Sequence, residues 1–355
     1  MMETVKAIKP THHLRKGPIT GGRIGIERNF IFSNAQSYPS PQIQVRTRTL
    51  NAGTFAGLPL APYKMSWKSY RSVPIILYLA LSFPGFAQLP DTIRVHKGRS
   101  IGTAIGGGTI IAGTLISLNT AWYSQYERNA FHFFDDGREW QQLDKIGHGF
   151  STYTVGKWGH GLVRWCGVSE RTSVWVGGTL GFTYLTAVEI MDGHSAEWGF
   201  SWWDMAANAT GTGLFVGQQL AWKEQRITIK YSAHLTEYAM QRPNVLGEGL
   251  SERILKDYNG ATYWLSANPR AFGWKALPKW LSVAVGYGGE GMLYANANPG
   301  QARQFYLSPD IDLERIPTKS KFLRTLLFTL NCVKVPMPAL EFRSNGAFRG
   351  HWLYF

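Results

Sequence analysis

From Ile101 to Trp222 the chain is dominated by long apolar stretches, into which are set a few ionisable side chains that such stretches rarely carry. Asp144-Lys145-Ile146-Gly147-His148 opens one stretch, Glu189 closes the next, and Asp204 and Asn208 stand four apart in the last. A charge withdrawn from water is unfavourable unless it is paired, hydrogen-bonded or neutralised. Helical spacing places Asp144 and His148 on one face, and Asp204 and Asn208 on one face of another helix. The fold must therefore bring three helices together with these groups facing one another.

The pattern predicts helices over 101–123, 142–166, 172–191 and 203–222. The first is uncharged and long enough to cross a bilayer. Trp175, Trp198, Trp202, Trp203 and Trp222 fall near the proposed ends, as interfacial aromatics do. Gly177, Gly178 and Gly181 in the third helix, with Gly211, Gly213 and Gly217 in the fourth, offer narrow surfaces for close backbone approach. Residues 124–140, charged and aromatic, read as a loop. Beyond residue 225, short segments such as 261–266, 281–285, 304–307 and 311–316 carry strand signals, 320–330 suits a short amphipathic helix, and 333–342 is extended by its prolines. The fold class expected is mainly α: a four-helix membrane-associated bundle over 101–222, then a small mixed α/β cap over 223–355 with short strands. The ending His351-Trp352-Leu353-Tyr354-Phe355 resembles the aromatic end of outer-membrane barrel strands, but the strands visible are too few to close a barrel.

The formal charge of +14 suggests an acidic partner, yet its distribution argues otherwise. Residues 88–355 hold 26 basic and 21 acidic residues, a balance of +5, so most of the basicity precedes them. From Met65, Lys68 and Arg71, an apolar run over 73–83, and small residues at Gly85 and Ala87 have the anatomy of a secretory signal, with 88–100 as a leader. Translation is accordingly expected to start at Met65, with 1–64 disordered or untranslated. Of the two cysteines, Cys166 and Cys332, either a disulfide or two free thiols fits the sequence. There is no Cys-based zinc motif, phosphate loop, nucleic-acid motif or internal repeat.

Asp144, His148, Glu189 and Asp204 are the candidate catalytic residues, His148 as acid or base and Asp144 as the carboxylate orienting it. The plainer account makes Asp144 a dipole-stabilised residue of a helix start, Asp204 a cap, and His148 a packed polar group. Lys145, Asn208, His160 and Arg164 are candidate binding residues, the last two four apart and suited to anionic head groups. Asp192, His194 and Glu197 are metal-capable types in a loop, but spacing does not fix their geometry; no metal and no cofactor are expected.

The order Asp-Lys-x-x-His at 144–148, a Glu closing the next helix at 189, then Asp-x-x-x-Asn-x-x-Gly at 204–211 resembles the YfiM-type domain of unknown function and, more distantly, the VanZ-like membrane proteins. The likeness covers 100–222 and implies a small helical envelope domain; YfiM-type proteins are often periplasmic lipoproteins, whereas no Cys follows the signal region here. The function expected is that of an exported, periplasm-facing and membrane-associated protein, a non-catalytic bundle binding lipid or a membrane partner through interhelical polar glue. The alternative is an envelope enzyme acting on a lipid or cell-wall intermediate.

Overall fold

The computed structural model describes residues 94–355 apart from Gln125 and Ala297. The chain divides into two units, Met1–Lys64 and Met65–Phe355, and every described residue belongs to the second. The expected signal and the residues before it lie outside the described range.

Helix α1 (Lys97–Leu118) stands apart from the other helices. Its start is tied to the end of α2 (Leu143–Trp165): His96 N donates to Cys166 O, Arg99 lies over the Trp165 ring, and Cys166 Sγ meets Thr103 Oγ1. None of its 22 residues is buried. At 1.5 Å per residue it is roughly 33 Å long, enough to span a hydrocarbon core.

The packed bundle is made of α2, α3 (Glu170–Gly178), α4 (Leu180–Asp192) and α5 (Trp202–Trp222). The expected third helix is interrupted at Thr179, whose hydroxyl bonds back to Trp175 O, so α3 and α4 form one broken rod. In place of the expected four-helix bundle, three rods pack together with α1 outside them. Glycine explains the packing. The backbones of Gly177 and Gly178 touch those of Gly159 and Gly156 on α2, leaving no room for a Cβ at these positions. Gly211 meets Gly149 in the same way, and a Cβ at Gly181 would sit 2.6 Å from Thr152 O. Gly213 and Gly217, expected to share this role, face open space.

The C-terminal part is larger and more regular than a small mixed cap. Strands β1 (Ile227–Ala233), β2 (Ala261–Ala267), β3 (Leu281–Glu290), β4 (Ala302–Ile311), β5 (Met337–Arg343) and β6 (Phe348–Tyr354) form an antiparallel meander in sequence order. Short helices α6 (Tyr238–Gln241), α7 (Pro243–Leu246) and α8 (Leu250–Lys256) fill the β1–β2 connection, and α9 (Lys321–Leu330), capped by Ser320, lies between β4 and β5. The segment 311–316, expected as a strand, ends β4 and then turns, with Asp312 capping the turn at Glu314 N.

The sheet curls. Tyr354 on β6 reaches Thr262 on β2 through its hydroxyl, and residues 332–334 cover the free edge of β1 by bonding to Tyr231. Covering that edge removes a row of unpaired backbone groups. On the concave side lie polar residues: Lys230 with Asp310 at 2.7 Å, Ser266 on the same carboxylate at 2.6 Å, and Glu341 with His351 at 2.7 Å. Lys230 and Asp310 are wholly buried. Trp264 also packs there, against the bare backbone of Gly286. The convex side is apolar. Helix α2 covers it at β1 and β2, where Phe150 meets Tyr231 and Tyr263, and Ile229 joins Tyr153, Val174, Phe215 and Val216 in a buried core.

Both cysteines are free, Cys166 buried and Cys332 half-buried.

Candidate functional site

The side chains that the sequence sets into apolar helices converge where α2, α4 and α5 meet. Asp144, Lys145 and His148 come from the first two turns of α2, Glu189 from the last turn of α4, and Asp204 and Asn208 from the start of α5. The α2 start is held by an unusual backbone, since Trp140, Gln141 and Gln142 have φ of 46°, 51° and 64°. Left-handed geometry costs a residue with a Cβ about 1–2 kcal/mol, so three in succession need external support. That support comes from the C-terminal part: Trp140 N donates to Ala295 O, and Tyr287 OH donates to Gln141 O at 2.6 Å. The sheet therefore fixes the direction in which Asp144 enters the site.

Lys145 is the hub. Its Nζ contacts carboxylates of Asp136, Asp144 and Asp204, the last two at 2.9 Å. Asp144 also accepts from Tyr258 OH at 2.7 Å. Ser201 caps α5 through Asp204 N, donates its hydroxyl to Asp136, and offers its backbone N–H to Glu189 Oε2 at 3.2 Å. His148 Nδ1 lies 3.1 Å from Asn208 Oδ1. Its Nε2 faces Asp204 Oδ1 at 3.7 Å, while Glu189 Oε1 is 3.7 Å from Nδ1. Glu189 is 1% exposed, and its Oε1 has no hydrogen-bond partner.

The surroundings shift the acids in opposite directions. Burial, reinforced by Asp204 and Asp192, raises Glu189 to about 8 in spite of His148. Burial and Asp144 raise Asp204 to about 7. Burial alone would raise Asp144, but His148, Lys145 and Tyr258 together hold it below its usual value. Burial opposes protonation of His148, yet Asp144, Asp204 and Glu189 outweigh it and raise the ring. Near neutral pH the cluster therefore shares protons among Glu189, Asp204 and His148 around a permanently charged Lys145.

His160 and Arg164 do not join this group. Both meet Glu170, at 3.1 and 2.9 Å, and Gln219 bonds the same carboxylate. They tie the far end of α2 to α3 and α5. Asp192 borders the cluster and accepts from Tyr123 OH at 2.7 Å, whereas His194 packs against Phe131. Asp136, Ser201, Tyr123 and Tyr258 belong to the network although sequence reading did not select them. Ser201 was signalled by the Ser-x-x-Asp spacing of a helix cap; Tyr258 is 114 residues from its partner and had no local signal.

Asp144, His148 and Asp204 each offer a ligand atom within 4.8 Å of the others, a spacing that can hold a metal ion. Lys145 already places a cation among two of those three groups. Among the described residues, two helical stretches are apolar enough to cross a membrane by composition: Lys97–Leu118, none of whose residues is buried, and Glu170–Asp192, which is the broken rod packed in the bundle.

Residues 132–217 match the family described as predicted periplasmic lipoprotein (DUF2279). The matched stretch contains Asp136, Asp144, Lys145, His148, Glu189, Asp204 and Asn208, so the site lies within it. No curated protein and no solved structure matches the chain. The family description supports an exported, periplasmic domain of unknown function. It does not extend to the YfiM-type name or to a VanZ-like relation.

Proposed function

We propose that this chain is an exported envelope protein whose helical bundle binds a lipid or membrane partner without catalysing a reaction, the buried polar cluster serving as the glue that sets the helices in register. The observation that carries this reading is the engagement of Lys145 with three carboxylates from the loop before α2, from α2 itself and from α5. A hub of this kind holds elements in one arrangement, because any other packing would strand buried charges. The polar order of the YfiM-type likeness, which lies across the same helices, is consistent with it.

Glu189 Oε1 favours a second reading, an envelope enzyme with His148 as acid or base, since a buried carboxyl oxygen without a hydrogen bond beside an imidazole is a mark of catalytic sites. His148→Ala and Glu189→Ala separate the two. Under the glue reading both variants lose thermal stability and partner binding together. Variants that stay folded and bound while the envelope lipid profile of the producing cell changes support the enzyme and overturn the glue reading.

A further inference from the structure

Polar pairs lie on the concave side of the curled sheet, among Trp264, Tyr306 and Tyr354, and its convex face continues beyond the part that α2 covers. Leu265, Val283, Val285, Phe305, Leu307, Leu340 and Phe342 form one apolar surface, each between 43% and 54% exposed. The register makes it continuous, with Val285 opposite Leu307 and Leu307 opposite Leu340. Meanwhile the concave side holds the buried pair Lys230–Asp310 and the buried Glu341 against a half-buried His351. An outward apolar band over an inner side that carries polar pairs is the pattern of a lipid-facing sheet.

The ends of this surface say what covers it. The β2–β3 connection, 268–280, contains Arg270, Lys275 and Lys279 and no acidic residue, together with the exposed Trp274 and Trp280. Basic residues interleaved with tryptophan at the edge of an apolar band match the anionic head-group layer of a bilayer. Strands β3 and β4 have 10 residues each, and a lipid-crossing strand needs about 9–11. Pairing between β4 and β5 stops at Leu307–Leu340, and the strands splay beyond it. There they leave a groove of about 590 Å³ lined by Val283, Leu307, Pro309, Pro338, Leu340 and Trp352.

We infer that the convex face of β3 to β6 is seated in the acyl chains of an anionic lipid bilayer, with residues 268–280 at its head groups and the groove receiving an acyl chain. This surface continues the apolar contact the sheet already makes with α2. The inference rests only on the export part of the proposed function, since the polar cluster plays no role in it.

The test is flotation of the purified full chain with vesicles containing phosphatidylglycerol and with pure phosphatidylcholine vesicles, combined with fluorescence quenching by lipids brominated on the acyl chain. Trp352, which is 93% exposed, should be quenched, and Trp352→Phe serves as the subtraction. The wild type should float best with phosphatidylglycerol. Leu307→Glu with Leu340→Glu should lower the bound fraction on the order of tenfold, while Lys275→Glu with Lys279→Glu should remove only the preference for phosphatidylglycerol. Equal flotation of wild type and the Leu307/Leu340 variant would assign attachment to α1 and overturn the inference. So would a stable dimer that ignores vesicles and that the same variant dissociates. If circular dichroism shows that this variant does not fold, quenching of Trp352 in the wild type decides, and its absence refutes the seating. The cluster reading is tested apart, by the thermal stability of His148→Ala without vesicles, so absence of wild-type quenching refutes the seating alone.

Discussion

Substituting Glu189 by Gln should flatten the dependence of stability on pH. Glu189 is buried, with its ordinary value of 4.5 raised to about 8 mainly by loss of water. A carboxyl with a higher pKa folded than unfolded binds its proton more tightly in the native state. Its contribution is full below the unfolded value and is lost as pH rises through the folded value. The window therefore runs from 4.5 to about 8, with Asp204 adding a second one from 3.8 to about 7. A rise from 4.5 to about 8 at about 1.4 kcal/mol per pH unit sets a ceiling of about 5 kcal/mol for Glu189. The value of about 8 already includes the pull of His148, so between about pH 5 and about pH 8 the expected loss is on the order of 4 kcal/mol. Gln retains an oxygen to accept from Ser201 N and fills the same volume. Urea unfolding followed by tryptophan fluorescence, at about pH 5 and about pH 9, should show the wild type losing stability with rising pH. The variant should lose about 4 kcal/mol less, keeping the share due to Asp204. Parallel curves for wild type and variant would refute the reasoning, because Glu189 would then have an ordinary carboxyl environment.

Other positions give separate tests. Lys145→Met removes the cation from Asp136, Asp144 and Asp204 and should cost about 3–5 kcal/mol at neutral pH; with its partner gone Asp144 titrates higher, so stability should recover on acidification, read by thermal melts across pH. Ser201→Ala loses the cap of α5 and the bond to Asp136, and denaturant titration should register about 1–2 kcal/mol. Gly211→Ala places a Cβ against Gly149 O and Thr152 Oγ1, forcing α5 away from α2; a loss of about 1–3 kcal/mol is expected in the same titration.

The helices were legible because their apolar runs are long and their ends are marked. The spacings Asp144–His148 and Asp204–Asn208 placed each pair on one face, and the structure brings those faces together. The third helix read as continuous because Gly177-Gly178-Thr179 only permits a break; contact with α2 decides it. His160 and Arg164 share a face as their spacing requires, but Glu170 and Gln219, which come from other elements, determine what they do. The sheet was under-read for a different reason. Ile227-Thr228-Ile229-Lys230-Tyr231 alternates as a strand should, yet it places Lys230 on the enclosed side, where its partner Asp310 is far off in sequence. Tyr258 and the left-handed run at Trp140 to Gln142 depend likewise on long-range contacts.

Central to this account is a buried carboxyl that keeps its proton at neutral pH because three helices enclose it beside His148 and Asp204. Infrared difference spectroscopy of the carboxylic-acid C=O stretch observes that proton directly. A band should persist at about pH 7, fade as pH passes about 8, and be missing from Glu189→Gln. A wild-type spectrum without a protonated-carboxyl band at neutral pH would contradict the account.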